Sequence, residues 1–131
     1  MVANTVQSRK SKGRNLQKEV AAAILRAFPS LEPGDAVSTS MGAGGVDVKL
    51  SPAALRVLPF AIECKATESF SLWAAYNQAV ANAKDKVPVV VHRKNRTKAV
   101  AIIDLEYLLT VHAECDKLAK LVEQLRNKKS K

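Results

Sequence analysis

Asp47, Glu63 and Lys65 are the residues of this 131-residue chain whose types and spacing suit one particular chemistry. Glu63 and Lys65 stand two apart in Phe60–Ala66, a segment that alternates like a β-strand, so they share one face with Ala61. Phe60, Ile62 and Cys64 take the other face. Asp47 falls with Lys49 on the polar side of a preceding alternating segment, Val46–Leu50, and adjacent strands lie only about 4.8 Å apart. Two carboxylates and one ammonium can thus converge on one small region. Hard divalent cations take oxygen ligands; Mg²⁺ commonly accepts one or two carboxylates and completes its octahedron with water and phosphate oxygens. A lysine beside such a site can orient or deprotonate a water and stabilise charge on a transferring phosphate. Gly42, Gly44 and Gly45 carry no side chains, which lets a bulky backbone approach. A plainer reading makes Glu63 and Lys65 solvated residues on an exposed sheet face, a frequent arrangement. Spacing, glycine turn and overall basic charge favour the cation, because a polyanion binder that gathers carboxylates needs something to stop them repelling phosphate.

Several elements must position these groups. Leu16, Val20, Ile24 and Phe28 recur every four positions and predict an amphipathic helix over 16–28, ended by Pro29 and the Glu32-Pro33-Gly34-Asp35 stretch. Ala36–Met41 reads as a first strand, Gly42–Gly45 as a tight turn and Val46–Leu50 as a second strand. Ser51–Pro59 is a connection with room for a short turn of helix, and Phe60–Ala66 is the third strand. Ser69–Lys84 returns to helical spacing, with Leu72, Trp73, Tyr76 and Val80 as the expected core stripe. Ser71, Gln78 and Asn82 fall toward its polar face. Val87–His92 and Ala99–Leu105 read as two buried strands joined by a basic turn. From Leu108 onward the chain is helical, with Leu108, Val111, Cys115, Leu118, Val122 and Leu125 spaced 3, 4, 3, 4, 3, a coiled-coil-like seam of about two and a half heptads. This tail can fold back on the sheet, pair with a twin, or carry its basic end to a polyanion. The order α-β-β-β-α-β-β-α predicts an α/β domain with a central mixed sheet of about five strands flanked by helices. The expected organisation is a basic arm over 1–15, a domain over 16–110 and a C-terminal helix with a basic tail over 111–131.

Charge narrows the partner. Twenty-one Lys and Arg stand against twelve Asp and Glu, a formal net charge of +9. Nucleic acid is the first expectation and an anionic membrane surface the second. The basic residues cluster: Arg9, Lys10, Lys12, Arg14 and Lys18 near the start, Arg93, Lys94, Arg96 and Lys98 in one turn, and Arg126, Lys128, Lys129 and Lys131 at the end. The last group can equally be a solubilising tail. A composition 47% hydrophobic excludes a disordered chain, and the longest apolar runs fall far short of the roughly 20 residues that span a bilayer. Met-Val-Ala-Asn-Thr leads into basic residues without an apolar region, so no secretory signal is expected. Two cysteines 51 positions apart suggest neither a disulfide framework nor a zinc site, and predict a reducing compartment.

Asp47 followed by Glu63-Cys64-Lys65 resembles the PD-(D/E)XK nuclease superfamily, and within it the archaeal-type Holliday junction resolvases and related small phage endonucleases. Lys12-Gly13-Arg14 with Glu19, Ser38–Asp47, Ala61–Lys65 and Val89–Lys94 all resemble segments of those resolvases, covering roughly residues 9–109. Val46 stands where the motif name has proline. The resemblance implies a restriction-endonuclease-like core and a Mg²⁺-dependent endonuclease, Mn²⁺ substituting, that hydrolyses phosphodiester bonds of branched DNA in recombination. It implies Asp47, Glu63, the Cys64 main-chain carbonyl and Glu19 as metal ligands, with Lys65 catalytic. Ser40 and Gln78 would lie near the scissile phosphate, and Arg9, Lys10, Lys12, Arg14, Lys49, Arg93, Lys94, Arg96 and Lys98 would hold DNA, mainly through its backbone. Two symmetric cuts at a four-way junction imply a homodimer, without a membrane partner, in the cytoplasm of a bacterial or phage-infected cell.

Overall fold

Leu16, Ala21 and Ile24 carry the first helix onto the sheet, and they do so on a helix longer than the apolar spacing marks. The computed structural model describes residues 6–39 and 45–130. In it α1 runs Val6–Ala27, so from Val6 the expected basic arm is the opening of this helix. Its apolar spacing begins only at Leu16 because the earlier turns extend past the sheet. A tight turn of helix at Pro33–Asp35 leads into β1, Ala36–Ser38, which pairs antiparallel with β2, Val48–Leu50. Both strands are shorter than their alternation suggests, and Ser40 and Gly42, Ala43 and Gly44 of the expected turn lie outside the described residues. Gly45 has φ +93°, a conformation that glycine alone adopts readily, and it precedes Asp47 by two residues.

Ser51 caps α2, Pro52–Val57: its hydroxyl accepts from the Ala54 amide at 3.1 Å and donates to Asp35 at 2.7 Å. β3, Phe60–Ala66, then occupies the centre of the sheet, antiparallel to β2 and parallel to β4, Val87–Arg93. A parallel neighbour demands a crossover, and α3, Leu72–Ala83, supplies it. β5, Val100–Ile102, closes the order β1-β2-β3-β4-β5, antiparallel to β4. The expected α/β architecture with a five-stranded mixed sheet is therefore present. It gains the short α2 in the connection where a turn of helix was anticipated.

Two cores result. Leu16, Ala21 and Ile24 of α1 pack on Val48, Leu50, Ile62, Cys64, Val89 and Val91. On the opposite face, Ala75 and Ala79 of α3 meet Val90. Fully burying a side chain such as Leu16, Ile62 or Val48 contributes roughly 1.5–3 kcal/mol. Of the expected α3 stripe, Tyr76 packs against the α3-side core, but Trp73 is 71% exposed and Leu72 and Val80 are also exposed, while alanines face the sheet. Small residues let the helix backbone approach the strands closely, which leaves Leu72, Trp73 and Val80 facing outward. β5 is likewise not a buried strand. Val100 is exposed at the sheet edge, Ile102 and Ile103 are only half-buried against the two cores, and Asp104 caps α4, Leu105–Lys129. No helix among the described residues is long and apolar enough to cross a membrane.

Candidate active site

β2 and β3 part company at the site. Val48 pairs with Ile62, and the Asp47 amide still donates to the Ile62 carbonyl at 2.9 Å. The next amide on that edge of β3, Cys64, donates to Oδ2 of Asp47 at 2.7 Å. An aspartate carboxylate thus takes the ladder position that a strand carbonyl would otherwise fill. The N–H and C=O of one strand residue point to the same side, so the Cys64 carbonyl also faces the Asp47 edge. Thr39 holds the aspartate's backbone. Its amide donates to the Asp47 carbonyl at 3.0 Å, and its hydroxyl donates to the carbonyls of Val46 and Asp47 at 3.1 and 3.2 Å.

Glu63 is 5% exposed, which removes the solvated-face reading for this residue. It lies on the α3 side of β3, where Asn82 Nδ2 donates to its Oε1 at 2.9 Å. Burial pushes the Glu63 carboxyl above the usual range; the Asn82 bond opposes this, the adjacent Asp47 adds to it and the Lys65 ammonium opposes it. Burial, with the charges of Asp47 and Glu63, pushes the Cys64 thiol up to about 12. That thiol stays protonated at neutral pH, so it is neither a nucleophile nor a thiolate ligand.

The donor set left over suits a hard cation. Oδ1 of Asp47 and Oε2 of Glu63 are the carboxylate oxygens not taken by Cys64 and Asn82, and the Cys64 carbonyl faces the Asp47 edge. Mg²⁺ needs no more protein oxygens than this. Among the described residues no three His, Cys, Asp or Glu side chains form a group able to hold a metal ion. Glu19 does not join the pair: it is exposed on α1 and forms an ion pair with Arg93 at the end of β4. The helix passes the C-terminal ends of the strands at that level, which delivers Glu19 to a guanidinium instead.

Lys65 lines a cleft of about 260 Å³ with Arg9, Lys12, Gly13, Thr67 and Glu68. An adjoining cleft of about 300 Å³ is lined by Lys12, Arg93, Lys94, Arg96 and Thr97, and the two share Lys12, Ala66 and Asn95. The basic turn between β4 and β5 is tied down locally. The Lys94 amide donates to the Thr97 hydroxyl at 3.1 Å, that hydroxyl donates to the Lys94 carbonyl at 3.0 Å, and the Asn95 amide donates to Glu68 at 3.1 Å. Arg96 at its tip has φ +62°, left-handed backbone that is uncommon for a non-glycine residue.

Of the expected DNA-holding residues, Arg9, Lys12, Arg93, Lys94 and Arg96 come together around these clefts. Lys10, Arg14 and Lys98 are exposed but line neither cleft, and Lys49 lines a separate groove with Asn82 and Lys84. Gln78 is exposed on α3 away from Glu63; Asn82, one turn later, makes that contact. Ser40 lies outside the described residues. Sequence reasoning also passed over Thr39, Glu68 and Thr97. The spacing of Ala75, Ala79 and Ala83 was the signal that could have put neighbouring Asn82 on the sheet side. His92, left open by sequence, is buried, stacked on Phe70 at 3.9 Å and 3.0 Å through Nε2 from the Thr67 carbonyl. No protein-family model, no curated protein and no solved structure matches this chain.

Proposed function

We propose that this chain is a metal-dependent, structure-selective DNA endonuclease, a Holliday junction resolvase being the form its sequence resemblance implies. The observation that carries the reading is the adjacent, partly buried Asp47–Glu63 pair, with Lys65 two residues on; Lys65 in turn lines a cleft with basic side chains of α1. A lone pair of buried carboxylates destabilises a fold, and cations in such number beside it suit a polyanion. Asp47, Glu63 and the Cys64 carbonyl would hold Mg²⁺ or Mn²⁺, which would supply an activated water and Lewis acidity toward a phosphate oxygen.

The chain's own residues do the rest. Asn82 fixes one oxygen of Glu63 and thereby the direction of the other. The Cys64 amide does the same for Asp47. The Lys65 ammonium, near enough to act on Glu63, would position the attacking water and offset charge developing on phosphate. Arg9, Lys12, Lys94 and Arg96 grip flanking phosphates, contacts that position DNA without reading its sequence. Glu19 acts as a positioning residue that aims Arg93. A DNA-directed enzyme with two free cysteines belongs in a reducing cytoplasm, bacterial or phage-infected.

The test is cleavage of a mobile four-way junction in Mg²⁺, beside flaps and linear duplex, with cut sites mapped on all four strands. Symmetric junction cleavage is expected, reduced at least about 100-fold, or about 2.7 kcal/mol of barrier, in Asp47→Asn and in Lys65→Ala. Undiminished cleavage in both variants sinks the site. Equal cutting of linear duplex replaces the resolvase with a sequence-directed or nicking endonuclease on this scaffold, and binding without cleavage leaves a DNA-binding protein.

A further inference from the structure

Helix α4 buries none of its 25 residues, although its apolar spacing is that of a packed helix. Tyr107 meets Phe60 edge-on at 5.9 Å near its start, and beyond that Leu108, Leu109, Val111, Leu118, Leu121, Val122 and Leu125 stand exposed. Two ion pairs lie along it, Lys117 with Glu114 at 3.4 Å and Lys120 with Asp116 at 2.9 Å. An apolar stripe of this extent on a free helix marks an interface.

We propose that α4 is an antiparallel coiled-coil interface whose occupant is a second copy of this chain. The seam is self-complementary about a two-fold axis between Cys115 and Leu118. Reversing the helix against itself sets Leu108 on Leu125, Val111 on Val122 and Cys115 on Leu118, so the outer layers match identical side chains and each central layer sets a small residue on a large one. Continued one layer outward, the same register sets Asp104 on Lys129. Charge chooses the direction. The first turn of α4 holds Asp104 and Glu106, and its last turn holds Arg126, Lys128 and Lys129. Antiparallel pairing puts each basic end beside an acidic start and opposes the two macrodipoles, whereas parallel pairing stacks six cations together. A seam repeating every 3.5 residues gives the shallow left-handed crossing of coiled coils.

The pairing stands on α4 alone and does not depend on the nuclease reading, so its test uses mass and not activity. Sedimentation equilibrium of the full chain at tens of micromolar is expected to report twice the 14.2 kDa chain mass. The double variant Leu118→Glu with Val122→Glu should raise the dimer dissociation constant at least 100-fold. Its circular dichroism melt should keep the cooperative transition of the sheet domain, since neither residue packs on that domain. Orientation is read by oxidation in a Cys115→Ser background. Leu108→Cys mixed with Leu125→Cys should form a covalent dimer, and neither variant should do so alone. A monomeric natural chain, a dimer undisturbed by the glutamates, or a covalent dimer of either cysteine variant by itself overturns the proposal.

Discussion

At the scale of single residues, the site is built from two carboxylates that each give one oxygen to the scaffold. Asp47 spends Oδ2 on the Cys64 amide and Glu63 spends Oε1 on Asn82. The geometry is held before any substrate arrives, as an electrostatic site requires. Burial of Glu63 carries a stability cost with a definite sign. Its folded-state carboxyl titrates above the ordinary 4.5, so between that value and the raised one the native state holds more protons than the unfolded state. Stability therefore falls as pH rises through that window. Glu63→Gln should melt higher than the natural protein at pH 7 without metal, and the gap should close below pH 4.5. Added Mg²⁺ should raise the natural protein's Tm and leave the variant's unmoved. A variant that melts lower at pH 7 contradicts the buried, charged Glu63.

At the scale of elements, the central strand and the turn after β4 divide the work. β3 carries Glu63 and Lys65 in register with Val90 and His92 of β4, so both side chains take positions set by a fully paired parallel ladder. The basic turn has no such ladder. It depends on the Thr97 hydroxyl, which bonds both the amide and the carbonyl of Lys94, and on Glu68, which accepts from Asn95. Thr97→Val should cost about 1 kcal/mol of stability in a denaturant melt. Since the turn presents Lys94 and Arg96, the same change should weaken DNA binding several-fold while leaving the pH dependence of cleavage as it was.

At the scale of the whole molecule, the +9 charge is not one field but several pieces. Five cations, Arg9, Lys12, Lys65, Lys94 and Arg96, line the paired clefts; Arg93 is there too but already neutralised by Glu19. If, as proposed, the clefts hold DNA and each of the five meets a phosphate, log affinity should fall with log salt at a slope of about −4.5. Lys94→Ala should flatten that slope by about 1 and weaken binding alike on every sequence, as a fluorescence anisotropy titration across salt will report. The C-terminal cations lie at the far end of α4, so their removal should leave the slope per cleft unchanged. Joined through α4, two such clefts would meet two arms of a branched duplex.

What the amino-acid order settles is local. Alternation in Phe60–Ala66 marks β3 with its bounds and puts Cys64 and Glu63 on opposite faces, because a strand's side chains have a period of two wherever it lies. Four-residue spacing marks α1 from Leu16, and the αβ order follows from such periods. Tertiary packing decides what periodicity leaves open. Trp73 and Ala75 are both apolar residues of α3, and only the close approach of that helix to the sheet turns alanine inward and tryptophan out. Gln78 and Asn82 are chemically alike and one turn apart; the position of β3 under the end of α3 picks Asn82. Glu19 goes to Arg93 because helix and strand ends meet in space across 74 positions of chain. Short-range sterics repeat along a sequence and can be read from it. Which of two similar residues meets a given atom depends on how far apart two elements pack, and that distance is set by all the side chains between them.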